Sequence, residues 1–313
     1  MTPSLLFVAA TARAVTFDAL IADPVGTLLA DPATAPGFRV VTLSNAAEAC
    51  VNEHLAGTRD AASARACTRS LAAAATDPRL SRWDATSEDN LYATHLAIVL
   101  GAADRVDPAG CDEALHQAVA LRLADRSLDH PDGMARSFAS SPDRWPADQA
   151  ATLYALSLYD HAHHATTHDA PLARFLAAIR RDRTPDGLIR SEWTGHTTNG
   201  EIPRGSAMTW TVRYLAAVAP DEAATLWTAT CAALRVNLGI GVGFREFPVG
   251  RELPADIDSG PIVAGVGASA TGFGIGASRA VGDLDPNRGL LRTERRGQWL
   301  ASTDDGLATV RAR

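Results

Sequence analysis

Two aspartates one residue apart, Asp256 and Asp258, precede Ser259-Gly260-Pro261 in a polar stretch that runs into an apolar, Gly/Ala-rich segment. Two carboxylates drawn together away from water cannot both ionise easily, so one stays protonated and becomes a proton donor beside an ionised base. Asp258 is read as a general acid, with Asp256 or Asp148 as its partner or base. The same residue types also suit capping, because carboxylates meet the positive end of a helix dipole. Proline fits the first turn of a helix, where its missing N–H is not needed, and a preceding serine can cap it. A helix is therefore expected to start near Pro261, capped by Ser259.

Arg204 directly follows Pro203 at another expected helix entrance, the unfavourable end of the dipole for a cation. Either it pairs with Asp258 or Asp148, or it holds an anionic group of a substrate. The expected substrate-binding set is Arg204, Arg245, Glu246, Trp145, Trp193, Glu192 and Trp83. Asp84, Glu88, Asp89, Arg144, His196 and Glu201 lie in the same loops. Carboxylates, arginines and tryptophans converging on helix N-termini suit a small molecule with an apolar body and a few polar handles.

Other residue types point to less chemistry. His164 and His168 are spaced as one helical turn but lack the internal glutamate of HExxH, and histidine near a helix C-terminus also complements the dipole. His95 sits inside an apolar helix pattern, as a core histidine or a proton carrier. No GxSxG is present, and the glycines at 239, 241 and 243 and at 272, 274 and 276 do not complete GxGxxG; close helix contact or a turn before Phe244 explains them better. No metal and no cofactor is expected.

The elements that must position these groups repeat. Pro146, in RWPADQAATLYALSLYD, is followed by Pro203 in EIPRGSAMTWTVRYLAAV and then by Pro261, at intervals near 58 residues. Upstream, PDGMARS at 131–137 returns as PDGLIRS at 185–191. Earlier units begin near Glu88 and ahead of a helix expected over 44–55. Second helices are expected over 108–126, 170–183 and 220–238, with a closing helix at 290–300. A unit of this length without strand alternation holds a helical hairpin that cannot bury its apolar face alone. Inner helices that are apolar all round, as over 264–280, favour closure into a ring over an open solenoid. The expected fold is all-α, repeated hairpins closing into an (α/α)-toroid, one domain over 1–313. Five units fall short of six, so a second copy of the chain, a homo-oligomer, is one way to complete the ring.

Composition bounds the partners. The chain has 313 residues, 46% of them hydrophobic, and a formal charge of −7 without any basic block, which argues against nucleic acid. No run approaches the length of a membrane span. Cys50, Cys67, Cys111 and Cys231 lie far apart and match no CxxC spacing, so they are expected neither to staple the fold nor to bind metal, in a reducing, cytoplasmic setting. The N-terminal MTPSLLFVAATARA lacks a positive n-region and is read as a first helix rather than a signal peptide.

The hairpin period, RWPAD, IPRGS and DIDSGP together resemble enzymes of the α/α-toroid group, nearest to linalool dehydratase/isomerase-like proteins. That resemblance implies cofactor-free acid/base dehydration and isomerisation of a terpenoid alcohol in an apolar cavity. Its cysteine chemistry does not transfer, since none of the four cysteines falls in the polar loops. Asp256-Ile257-Asp258-Ser259 is also similar to the DxDD acid of class II terpene cyclases, with two of three acids kept. The expected function is a cofactor-independent lyase, isomerase or cyclase for a terpenoid- or polyketide-like substrate. A carbohydrate-active enzyme on the same ring, or a non-catalytic helical-repeat binding protein, are the alternatives.

Overall fold

The computed structural model describes residues 16–31, 34, 36–80, 83, 89–193, 201–239 and 241–302, with side chains to residue 293. Expectations placed on Asp84, Glu88, His196 and residues 1–15 lie outside them. Twelve α-helices are described: α1 (Phe17–Ala22), α2 (Pro24–Ala30), α3 (Arg39–Leu55), α4 (Ala61–Thr76), α5 (Asn90–Val106), α6 (Glu113–Leu128), α7 (Pro146–His163), α8 (Asp169–Arg181), α9 (Gly205–Val218), α10 (Pro220–Leu234), α11 (Ala268–Ala280) and α12 (Leu284–Ser302).

The fold is an all-α toroid of five hairpins, α3/α4 to α11/α12. Inner helices α3, α5, α7, α9 and α11 pack side by side in chain order, and even-numbered helices cover them from outside. The residue pattern dictates which is which. Inner α5 buries nearly every residue from Asn90 to Asp104, while outer α6 buries only a stripe of His116, Val119, Ala120, Leu123, Ala124 and Ser127. The 58-residue repeat is physical: Thr94 of α5 and Thr152 of α7 are 58 apart and share a buried 2.7 Å hydrogen bond. Across the ring, Arg213 of α9 donates to Glu48 of α3 at 2.7 Å.

Local signals set most helix starts. Asp60, Asp89 and Asp112 cap α4, α5 and α6 through their side chains, and Pro146 and Pro220 occupy the first turns of α7 and α10. Pro261 behaves differently. It precedes a β-hairpin of β3 (Ile262–Val263) and β4 (Val266–Gly267), and α11 begins only at Ala268, so Ser259 caps no helix. Ala264 and Gly265 have φ of 51° and 81°, as a two-residue hairpin turn with both central residues left-handed requires. A second hairpin, β1 (Arg235–Asn237) with β2 (Val242–Phe244), ends the expected outer helix at Leu234, and Arg245 bridges to Val266.

Two further expectations change. Cys50 of α3 and Cys67 of α4 form a disulfide, because the hairpin brings their Cα atoms to 6.4 Å; the cysteines do staple the fold. α7 ends at His163, and His164 turns left-handed with φ of 53°, so His164 and His168 share no helix face. His168 instead lies against Asp160, with Nδ1 at 2.5 Å from its carboxylate. Among the described residues, no helix is long and apolar enough to cross a membrane.

Candidate active site

A cavity of about 640 Å³ opens where the inner helices begin. Each contributes from its first turns: Val41 of α3, Leu91 of α5, Asp148 of α7, Ser206 and Trp210 of α9, and Ser269 and Phe273 of α11. The loop from Phe247 to Asp258 forms the remaining wall. Repeated helix entrances therefore do collect at one end, although the last is reached through a hairpin.

Of the expected site residues, Asp148, Asp256, Asp258, Arg204, Trp145 and Glu192 line this cavity. Glu246 stands directly behind Arg204. Arg245 is turned away, its guanidinium against Gly265 at the hairpin turn. Trp193 packs against the apolar cluster that holds Met134, Phe175 and Met208, and Trp83 stacks under the Arg122 guanidinium at 5.4 Å. Arg144 lines a separate cavity of about 250 Å³ with Arg126 and Arg136. Sequence reasoning missed Ser206, Trp210, Phe247 and Phe273; the IPRGS motif offered a hint for Ser206, whereas the aromatics had no signal beyond ordinary core spacing.

Arg204 organises the charges. Its Nε donates to Glu246 at 2.9 Å and one terminal nitrogen donates to Asp256 at 2.7 Å, while the other lies 3.8 Å from Asp258. The guanidinium also sits 5.6 Å from the centre of the Phe247 ring. These partners explain a cation at the entrance of α9: the local carboxylates outweigh the dipole. The pairing differs from the expected one, since Glu246 and Asp256 are the close partners.

Glu246 is fully buried, and its Oε1 also accepts from Ser206 Oγ at 2.6 Å. Two backbone bonds fix it: its N–H donates to Gly265 O at 3.0 Å, and its carbonyl accepts from Gly205 N–H at 2.7 Å. A Cβ on residue 205 would sit 2.0 Å from the Arg245 carbonyl oxygen, so this approach needs glycine. Burial raises the Glu246 pKa, with Ser206 and Arg204 opposing.

The three aspartates have different proton affinities. At Asp148, desolvation at the start of α7 pushes the pKa up to about 7, a neighbouring Ser137 hydroxyl opposes, and the charges of Asp258 and Asp89 add to the rise. Asp258 is also raised, by desolvation first and by Asp256, against Arg204, although 53% of its side chain remains exposed. Asp256 moves the other way. Burial would raise it, but Arg204 and the Ser259 N–H, which donates at 2.9 Å, hold it below the usual carboxylate range. Asp148, pushed toward neutral pH by burial, thus shares the cavity with Asp256, which Arg204 and Ser259 hold ionised. His95 lies outside this chemistry: it is buried, bonded through Nδ1 to Ser44 Oγ at 2.8 Å, and held neutral with a pKa of about 3 by burial and by Arg213.

No family model and no curated protein matches the chain, which leaves the resemblance to linalool dehydratase/isomerase-like proteins and terpene cyclases without support. Among solved structures, the chain is similar to an unsaturated glucuronyl hydrolase from Bacillus sp. GL1, described as responsible for the degradation of glycosaminoglycan. The identity is 15% and the TM-score 0.48, over 64% of this chain and 63% of that one. The chain thus spans under two thirds of that structure's length.

Proposed function

We propose that the protein is a cofactor-independent acid/base enzyme acting on a carbohydrate, with Asp148 as the proton donor and Asp256 as the ionised carboxylate that assists it. The observation that carries this reading is the contrast within one cavity: Asp148 titrates at about 7, while Asp256 is held ionised by Arg204. Acid catalysis at neutral pH needs a carboxylic acid that still owns its proton and a base that has lost one. The walls suit a sugar: Trp145, Trp210 and Phe247 offer aromatic faces, and Ser191, Ser206 and Glu192 offer polar groups to hydroxyls. Among the described lining residues, four acids face one arginine, which favours a neutral or cationic sugar over an anionic one.

A panel of neutral and amino-sugar aryl glycosides and oligosaccharides, assayed with the wild type and with Asp148→Asn, tests the reading. Turnover by the wild type should fall at least about 100-fold in the variant, the usual scale for losing a general acid. Equal turnover by both proteins removes Asp148 from the chemistry.

The apolar floor of Val41, Leu91, Trp210 and Phe273 favours a second reading, protonation of an alkene or alcohol in a terpenoid-like substrate. Product analysis after incubation with monoterpene alcohols separates the two: isomerised or dehydrated products, with no glycoside turnover, select it.

A further inference from the structure

At the opposite end of α5 and α7 from the cavity lies a second, unrelated group of reactive side chains. Asp104 is in the last turns of α5, Cys111 follows the turn Pro108–Gly110, His116 is in α6, and His163 is the last residue of α7. One candidate ligand atom from each of Asp104, Cys111 and His116 lies within 4.8 Å of the other two. Asp104 and His116 are buried, and His116 Nδ1 lies 2.7 Å from Asp104 Oδ2. His163 Nε2 approaches the same oxygen at 3.3 Å, and this buried nitrogen has no hydrogen-bond partner. Among the described residues, the two imidazoles are the only groups that ion-pair with Asp104.

His116 Nδ1 meets Asp104 at 2.7 Å and the Cys111 thiol donates to the Leu100 carbonyl at 3.6 Å, yet the Nε2 atoms of His116 and His163 are both buried without a partner, which leaves the group short of one cation. A buried carboxylate without arginine or lysine beside it is costly, yet here a thiol and two imidazoles converge on it from three elements. The donor types, two nitrogens, one sulfur and one oxygen, are those of tetrahedral zinc, whose bond lengths place ligand atoms about 3.3–3.8 Å apart. The atoms of Asp104, Cys111 and His116 lie within 4.8 Å of one another, and His163 approaches Asp104 at 3.3 Å from outside that group, so it closes on the metal as fourth ligand by a small side-chain movement. One carboxylate and one thiolate would balance a divalent charge, and the C-terminal ends of α5 and α7 both favour a cation.

We propose that Asp104, Cys111, His116 and His163 bind one divalent transition metal, zinc by preference, in a closed structural site that pins α5, α6 and α7 together. Binding replaces the Cys111 thiol proton with the metal and releases that proton to solvent. The site lies roughly 22 Å along α7 from Asp148 at 1.5 Å per residue, so it braces the ring and takes no part in the reaction at the cavity.

The test uses the full chain, stripped with a chelator and titrated with zinc, and separately with cobalt as a spectroscopic stand-in. One equivalent of zinc should bind and raise the melting temperature, and cobalt should give a thiolate-to-metal charge-transfer band. Cys111→Ser should lose that band. Both Cys111→Ser and His163→Asn should weaken zinc binding at least about tenfold, a range that even indirect supports of metal ligands reach. His163 is partly exposed, so His163→Asn keeps the test open if Cys111→Ser fails to fold by circular dichroism. Absence of stoichiometric metal, or wild-type affinity in the folded variants, overturns the site.

Discussion

Arg204 donates to Asp256 at 2.7 Å and to Glu246 at 2.9 Å, so one guanidinium ties a loop at the cavity mouth to a carboxylate in the core. Only 16% of the Arg204 side chain is exposed, and Glu246 is not exposed at all. Removing the cation strands a buried charge, which costs about 3–5 kcal/mol when one partner of a buried pair is lost. Arg204→Met should lower stability by about that amount in denaturant melts. Adding Glu246→Gln should restore much of the loss, because the stranded charge is then gone; a double variant as unstable as the sum of the singles contradicts the pairing.

Asp148 predicts two pH effects in different windows. If its protonated form is the catalyst, activity should be flat below neutrality and fall about tenfold per pH unit above a pKa of about 7. Its folded pKa lies above its unfolded value of 3.8, so folding holds the proton, and stability from this group declines as pH rises between those two values. Asp148→Asn carries no such proton. Its melting temperature relative to wild type should therefore climb from about pH 4 to pH 7 and stay level above. A constant difference across that window places Asp148 in contact with water.

The Cys50–Cys67 disulfide closes a 17-residue separation between α3 and α4. Loop-closure entropy for a ring of this size is worth about 3 kcal/mol. Dithiothreitol, or the double variant Cys50→Ser/Cys67→Ser, should lower stability by about that much and leave the cavity residues in place. An unchanged melting curve after reduction refutes the stapling role.

Gly205→Ala brings a methyl to 2.0 Å from the Arg245 carbonyl oxygen, and the segment carrying Arg245 and Glu246 must retreat. Overpacking of this kind costs about 1–3 kcal/mol. Because Arg204 and Glu246 shift with it, catalytic efficiency should fall further than thermal stability explains, measured on folded protein well below its melting point.

Much of this was legible in the residues. The 58-residue interval predicted the hairpins, and Pro146 with Asp148 predicted the first turn of α7, since fixed φ and a dipole-facing carboxylate are local effects. Asp256, Asp258 and Arg204 lie together at the cavity, although no helix starts at Pro261 as the repeat implied. Pro261 misled because Ser-Gly-Pro satisfies a helix-start pattern, while two-residue strands are too short to show alternation and Ala264 is an unusual occupant of a left-handed turn. The disulfide escaped notice because pairing across an antiparallel hairpin depends on the facing of two helices and leaves no CxxC spacing. Trp210 and Phe273 were invisible for a related cause: on helices buried all round, an aromatic that faces the cavity has the same spacing as one that faces the core.

The loop bearing Asp256 and Asp258 is moored at one end by the buried rings of Phe244 and Phe247 and at the other by the β3–β4 hairpin, while Val249 and Ile257 between them stand in water. That stretch is linked to the inner helices at few points, through Arg204 to Asp256 at the start of α9 and through the Ser269 N–H, which donates to the Ser259 carbonyl at 3.1 Å, at the start of α11. Replacement of the exposed residues 249–252 would leave those links in place while reshaping the approach to the cavity.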